Sequence, residues 1–546
     1  MKKTNKVIVM GVAFAVVIIV LLFSFVIFKS SSKGKTTDSM LKKIKVTKQS
    51  PVKAPISLDD NTLFDELPEI TKYPLAVDGK GDVVIEIMTS PEKAGQNYES
   101  WLIDVAEKFN EEGYTTEAGL SIGLSVRPVT SGLAADYIIS GKHTPQLFTP
   151  SNYLWGEYIN ANGGDVTVKS DRLVGNTAGL LISKNSTYKT YDDIIGAVKK
   201  GEINIGYTNP QTSSTGMNLL LSILKDGDDD MFSDKAVESF TTFQQNIPFV
   251  AYNTMQMRDS AKKGTLDGMI LEYQTYINED NVNKMYDFVP FGVRHDNPLY
   301  IVDESNLTDE ELEAIDIITD YCLSGDMQTI ATKYGFNANN DYKSEDSFTG
   351  AEVNKALEIY KANKDNGQDI IAVFVADCSG SMYGDPLNRL KDSLSNGMQY
   401  INENNYVGLV SYSDDVSIEV PINKFDLDQK AFFQGGINRL QANGSTASYD
   451  AIVVAMDMIE KAKKDHPDAK PMIFLLSDGQ QNIGYSLDTI KPALKDSKIP
   501  VYTISYTAEA DTTAMKELSE VNEAATINAD SEDIVYKMKS LFNSQM

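Results

Sequence analysis

The sequence predicts an α/β protein: two α/β modules in tandem, the second a doubly wound, Rossmann-like sheet, behind one amino-terminal transmembrane helix. Three observations carry this. From Asp82 to Asp287, strands alternate with amphipathic helices, the pattern of βαβ units and a mainly parallel sheet. Residues 370–375 (IIAVFV) and 471–477 (PMIFLLS) are apolar runs of the kind buried on both faces at a sheet centre. Val7 to Phe28 carries no charge and is long enough to cross a hydrocarbon layer of about 30 Å.

The apolar run is flanked by Lys2, Lys3 and Lys6 before it and by Lys29, Lys33 and Lys35 after it, with only Ser30 to Ser32 as loose cleavage candidates. That reads as an uncleaved signal anchor rather than a cleaved leader. Residues 1–6 are then a cytoplasmic stub, 7–28 the membrane span, and the rest extracellular, a single-pass protein of the cell membrane. Residues 29–81, first Lys/Ser/Thr-rich and then broken by Pro51, Pro55, Pro68 and Pro74, read as a stalk. The 546 residues allow about three to five domain-sized units. A net charge of −27 argues against a nucleic-acid partner. The two cysteines, Cys322 and Cys378, lie in different modules and imply no disulfide framework.

In the first module, Val83–Met88 and Leu120–Val129 read as strands, and Tyr98–Asn110 and Gly132–Ser140 as helices. A second α/β region runs from Leu173 to Asp287. Thr89 and Ser90 follow the first strand, Ser131 opens a helix, and Thr212, Ser213, Ser214 and Gly216 open another. Free N–H groups at helix starts let such hydroxyl loops cradle an oxyanion, although Ser and Thr also serve there as ordinary caps. No basic residue accompanies the hydroxyls in these loops, and Tyr273 stands in place to enter a cleft. The acidic run Asp226–Asp230 lacks the alternation of a calcium loop and reads as solvated, while Trp101 and Trp155 read as core. The segments VAEKFNEE, PQLFTPSNYLW, GYTNPQTSSTGMNLLLSIL and FGVRHDNPLYIVD occur in that order. Together they resemble the extracellular solute-binding proteins of bacterial transport systems. The resemblance spans 82–347 and implies a two-lobed, periplasmic-binding-protein-like module that closes on a small-molecule solute or oxyanion.

A charged helical connector, 348–368, leads to the second module, 369–546. There the strand at Ile370 ends in Asp377, Ser379 and Ser381, alternating along a tight loop with Gly380. Thr446 sits in the loop NGSTASYD, and Asp478 ends the second apolar strand. Such hard oxygen donors suit Mg²⁺, with Mn²⁺ or Ca²⁺ as alternatives, and not zinc. For any one fragment alone, helix capping by the aspartates and turn-backbone bonds from the hydroxyls is the favoured reading. The ordered set Asp-x-Ser-x-Ser, Thr, Asp resembles the metal-ion-dependent adhesion site of the von Willebrand factor A-type domain. The resemblance implies Ser379 and Ser381 as direct ligands, Thr446 direct or through water, Asp377 and Asp478 largely through waters, and a partner protein's carboxylate in the open position. About six strands are expected, one antiparallel at the edge. None of the three histidines (His143, His295, His466) falls in these motifs, so a triad around Cys378 or Ser379 lacks a base. A metal-assisted hydrolase would have only Asp478, already committed to the site, as base. The expectation is a non-enzymatic, membrane-anchored extracellular protein binding a partner through a Mg²⁺ site, with a solute receptor coupled to that domain as the alternative.

Overall fold

The computed structural model describes residues 37–56, 62–247, 249–251, 257, 266–364, 368–477, 481–505, 512–522, 524–529 and 533–546. The expected membrane span, 7–28, and Asp478 lie outside the described residues. No described helix is long and apolar enough to cross a membrane. The described chain begins with helix α1 (Thr37–Leu41) and strand β1 (Val46–Lys48).

The middle of the chain folds as two lobes. Lobe one holds β2 (Val83–Thr89), β3 (Ile122–Pro128), β4 (Leu147–Thr149), β5 (Val166–Ser170) and β11 (Leu299–Val302), in the order β3-β2-β4-β11-β5. Lobe two holds β6 (Thr177–Ser183), β7 (Ile205–Thr208), β8 (Phe249–Ala251), β9 (Gly268–Glu272) and β10 (Tyr286–Arg294), in the order β10-β6-β9-β7-β8. Both sheets are mixed rather than mainly parallel. β11 runs antiparallel to β4 and β5, and β6 antiparallel to β10 and β9. The chain passes between lobes near 171–176 and again near 294–298, and strands next to these crossings run against their neighbours. Helices α2 (Ser131–Ser140) and α3 (Leu154–Ala161) belong to lobe one, and α4 (Ser214–Gly227) and α5 (Asp234–Gln245) to lobe two. Helix α6 (Gly350–Asn363) then leads to the carboxyl-terminal domain.

That domain is built on β12 (Ile370–Asp377), β13 (Tyr406–Tyr412), β14 (Val416–Lys424), β15 (Lys470–Ser477), β16 (Val501–Ser505) and β17 (Thr526–Asn528). Every residue of β12 is buried, as expected of a strand flanked by parallel neighbours and covered on both faces. Helices α7 (Ser448–Ala462) and α8 (Ile534–Gln545) cover opposite faces.

Two expectations need correction here. The antiparallel strand β14 is not the edge: β1 pairs with it in parallel, Val46 opposite Val416, making a seven-stranded sheet. Residues 29–81 are therefore not a stalk in the part described. Met40 is fully buried against α7, Thr37 Oγ1 donates to Glu460 Oε1 (2.9 Å), and Arg439 Nη1 donates to Ser50 O (2.8 Å). A Cβ on Gly435 would fall 1.7 Å from Val52 O, so chain 50–54 lies directly on the backbone of the helix Leu427–Arg439. Farther on, Leu67 joins the apolar core of lobe one, and Val77 pairs with Val126 beside β3. A few apolar anchors and a run of backbone hydrogen bonds fasten a polar segment that looks too hydrophilic to fold.

The carboxyl-terminal domain also rests on the lobes. Tyr536 Oη on α8 donates to Asp136 Oδ2 on α2 (2.9 Å), and burial pushes the Asp136 carboxyl up to about 6. Lys364 Nζ donates to Phe542 O (2.9 Å).

Because β1 covers an edge whose open N–H and C=O groups favour strand addition, deleting 37–56 should lower the thermal midpoint of this domain and promote self-association in size-exclusion chromatography. An unchanged midpoint would contradict the edge-strand role. In lobe one, partial burial pushes the Glu86 carboxyl up, yet it is held down to about 2 because hydrogen bonds from His143 and Arg127 outweigh that desolvation. A depressed carboxylate contributes stability above its ordinary 4.5 that is lost as pH falls toward 2. Arg127→Gln should therefore raise the pH midpoint of acid unfolding followed by circular dichroism.

Candidate metal centre and interlobe cleft

β12 delivers Asp377 to the carboxyl end of the sheet with its side chain 0 % exposed. Its Oδ1 accepts from the Ser379 N–H (2.9 Å), which bends the chain back over the strand end. Its Oδ2 accepts from Tyr412 Oη (2.9 Å) and Ser477 Oγ (2.6 Å). The turn Gly380–Met382 then brings Ser379 Oγ and Ser381 Oγ to 3.0 Å of each other, with Ser379 buried and Ser381 exposed.

The Thr446 loop is stitched to this turn. Gly380 N donates to Gly444 O (3.0 Å) and Asn443 N to Cys378 O (2.8 Å). Gly444 has φ +70°, and a Cβ there would meet the Asp414 carboxylate at 2.6 Å, so both conformation and space require glycine. Asp414 Oδ1 accepts from Ser445 N (2.9 Å), and that bond holds its carboxyl below the ordinary range. Thr446 is buried, with its N–H donating to Asn482 Oδ1 (2.8 Å) and its carbonyl accepting from Asn482 N (3.1 Å). The structure thus brings Asp377, Ser379, Ser381 and the Thr446 loop together at one end of the sheet.

The chemistry of this donor set fits a hard divalent cation. A fully buried carboxylate ordinarily needs a countercharge, yet among the described residues no lysine, arginine or histidine forms an ion pair with Asp377. Among the described residues its partners are two hydroxyls and one N–H. No group of three or more His, Cys, Asp or Glu side chains suited to a metal occurs among the described residues, so this donor set is mostly hydroxyl. Burial pushes the Cys378 thiol up to about 12, which leaves it inert as a nucleophile. Tyr412, Ser477 and Asn482 escaped sequence reasoning. Ser477 had a signal, standing beside Asp478 at a strand end, whereas Tyr412 reaches Asp377 only through sheet register.

The lobe contact differs from expectation. Ser90 Oγ accepts from Lys93 Nζ, so a basic residue does accompany these hydroxyls. Lys93 is fully buried; it also donates to Asn297 Oδ1 (2.7 Å), and burial pushes its ammonium down to about 8 against the pull of Glu92 and Glu272. Thr89 is buried, with its hydroxyl turned to Ser90 O (3.4 Å). Ser213 Oγ lies 2.7 Å from Thr208 Oγ1 and 3.0 Å from Thr215 Oγ1. Thr212 Oγ1 turns back to Asn209 O (3.5 Å).

Across the lobes, Trp155 Nε1 donates to Ser214 Oγ (2.8 Å), and Ser214 and Ser131 hydroxyls are 3.4 Å apart. Trp155 is therefore both core and lobe contact, while Trp101 is core. A Cβ on Gly132 would sit 2.8 Å from Thr212 Cα, so the starts of α2 and α4 touch. The Tyr273 ring packs on Phe288 (5.0 Å) and Tyr276 (5.8 Å) of lobe two. Beneath the contact, His295 Nδ1 lies 2.7 Å from Glu272 Oε1, and His295 Nε2 lies 3.1 Å from Asn152 Nδ2. Asn152 Oδ1, Asn209 Nδ2 and Gln211 Oε1 are buried there without a hydrogen-bond partner among the described residues.

Residues 372–542 match the family model of the von Willebrand factor type A domain, and residues 94–337 that of a bacterial extracellular solute-binding protein. Inter-alpha-trypsin inhibitor heavy chain H3 from Bos taurus is 28 % identical over 145 residues, 24 % of this chain and 16 % of that protein. A von Willebrand factor A domain-containing protein from Dictyostelium discoideum is 31 % identical over 176 residues, 31 % of this chain and 18 % of that one. The chain thus spans less than a fifth of the length of these relatives. Among solved structures, the sulfate-binding protein SubI from Mycobacterium tuberculosis H37Rv is similar at 14 % identity and TM-score 0.36, covering 52 % of this chain and 91 % of that one. A von Willebrand factor type A protein from Catenulispora acidiphila is similar at 16 % identity and TM-score 0.30, covering 32 % and 42 %.

Tyr412→Phe and Ser477→Ala each remove one donor to a buried carboxylate and should each cost about 1–3 kcal/mol in urea unfolding. Ser381→Ala, at the exposed end of the loop, should cost far less. Equal costs for all three would contradict the packing described for Asp377.

Proposed function

We propose that this chain, which joins a bacterial extracellular solute-binding domain to a von Willebrand factor type A domain, is a membrane-anchored extracellular binding protein that captures a partner protein through a divalent-cation site. The carrying observation is the buried Asp377 carboxylate, which has no basic counterpart among the described residues and stands next to the paired hydroxyls of Ser379 and Ser381. Ser379, Ser381 and Thr446 would hold Mg²⁺, with Asp377 and Asp478 supplying its countercharge. Bound there, the ion supplies an open Lewis-acidic position for a partner's carboxylate.

The chain's own residues do the rest. Tyr412, Ser477 and the Ser379 N–H fix the orientation of Asp377. The Gly380–Gly444 and Asn443–Cys378 bonds hold the two loops in one register. Hydroxyl ligands carry no charge, so the set leaves the cation electron-poor enough to attract an anionic partner group. Both domains are binding modules by family, and nothing in the Cys378 environment supports a nucleophile.

A second reading is favoured by the unpartnered Asn152, Asn209 and Gln211 atoms at the lobe contact: a small polar solute bound between the lobes. Glu92 and Glu272 offset the buried Lys93 ammonium, so this reading favours a neutral or zwitterionic solute over an oxyanion.

The test is a pull-down from surface extracts with the chain from Lys29 to Met546, in Mg²⁺ and in chelator. Asp377→Asn keeps the side-chain shape and the acceptor for the Ser379 N–H but removes the charge and puts an N–H donor toward the Tyr412 and Ser477 hydroxyls, which can turn to accept it. A partner retained by the wild type in Mg²⁺, and lost both in chelator and with Asp377→Asn, is the expected result. Equal capture by folded Asp377→Asn would overturn the metal reading. A solute screen by thermal shift checks the second reading, because any ligand of the folded state raises its midpoint.

A further inference from the structure

Helix α6 is more than a spacer between domains. Its amino-terminal end is built onto lobe one. Phe348 N donates to Tyr153 Oη (2.8 Å), Gly350 N to Glu157 Oε2 (3.0 Å), and Asn162 Nδ2 to Asn354 Oδ1 (2.9 Å). A Cβ on Gly350 would fall 2.2 Å from Glu157 O, so the two helix backbones are in direct contact.

Its carboxyl-terminal half is built onto lobe two. The Tyr360 ring lies 6.3 Å from Phe240, the Lys355 ammonium lies 4.3 Å over the Phe232 ring, and Gln244 Nε2 donates to Lys364 O (3.1 Å). Val353, Ala356 and Tyr360 are buried in one apolar cluster with Trp155 and Ile159 of lobe one and Met217 of lobe two.

The lobes are joined covalently near 171–176 and 294–298 and touch through Trp155 and Ser214, so a helix packed on both adds a further non-covalent tie. Hinge motion of two such lobes would have to strip α6 from one of them and expose part of the shared cluster. We propose that α6 is a strap that holds the lobes closed without a solute, and that they open only when it is released. Since α6 runs on to β12 within a few residues, release would also remove one of the ties between the carboxyl-terminal domain and the lobes, leaving the α8 contact of Tyr536 with Asp136 in place. This inference does not depend on the metal reading.

The test measures the distance between lobes in the full chain by double electron–electron resonance. Spin labels go on Glu107→Cys in lobe one and Lys200→Cys in lobe two, both exposed positions. The native Cys322 and Cys378 are buried, each with its thiol pushed up to about 12, and do not compete for label. The expected result is one narrow distance for the wild type without added solute. Gly350→Val, which drives the strap off Glu157, and Ala356→Glu, which puts a charge under its buried face, should each add a longer population. Folded variants that keep the single narrow distance would overturn the proposal. So would a broad or double distribution in the unliganded wild type, a result that needs neither variant.

Discussion

A carboxylate taken fully out of water is among the most costly groups a protein can bury, and the carboxyl-terminal domain is arranged around one. Asp377 ends the most buried strand of the sheet, where desolvation must be offset by donors or by opposite charge. Tyr412, Ser477 and the Ser379 N–H supply donors, each delivered by a different backbone segment. The alignment of β12 with β13 and β15 is thereby tied to the shape of the Ser379–Ser381 loop. The Gly444 turn closes the arrangement from the other side, because only a residue without Cβ tolerates both its conformation and the nearby Asp414. Loops at strand ends can be this precise because the strands behind them cannot slip.

The same economy of attachment recurs at the scale of domains. Residues 37–54 add an edge strand to a sheet whose other strands lie more than 300 residues later in the chain, and 62–81 then pass onto lobe one. Helix α6 lies on both lobes, and α8 meets lobe one through Tyr536 and Asp136. A binding site on such a body is presented by a fixed frame rather than on a free tether.

How much of this could be read from the residues follows from the range of the interactions. Asp377, Ser379 and Ser381 were legible because their spacing within five residues, behind an apolar run, is a local pattern. Thr446 was legible from its glycine- and serine-rich loop. Tyr412 was not, because it reaches Asp377 by register across a strand pair 35 positions away in sequence. Strand β1 is only Val46–Lys48 in a lysine-rich stretch, and the charges that protect an edge strand are those that mark a tether. Lys93 reads as a surface residue in PEKA, and its burial depends on Asn297 and Glu272, which are distant in sequence. The packing of Tyr273 on Phe288 and Tyr276 was not legible either, because Phe288 comes from a different strand.

The most direct measurement is anomalous diffraction from crystals of the protein grown with Mn²⁺, alongside crystals of Ser379→Ala. One manganese peak bonded to the Ser379 and Ser381 hydroxyls beside Asp377 in the wild type, absent in the variant, is the predicted result. A peak retained in folded Ser379→Ala, or manganese bound elsewhere with none at this loop, would contradict the metal-dependent binding site on which the functional reading rests.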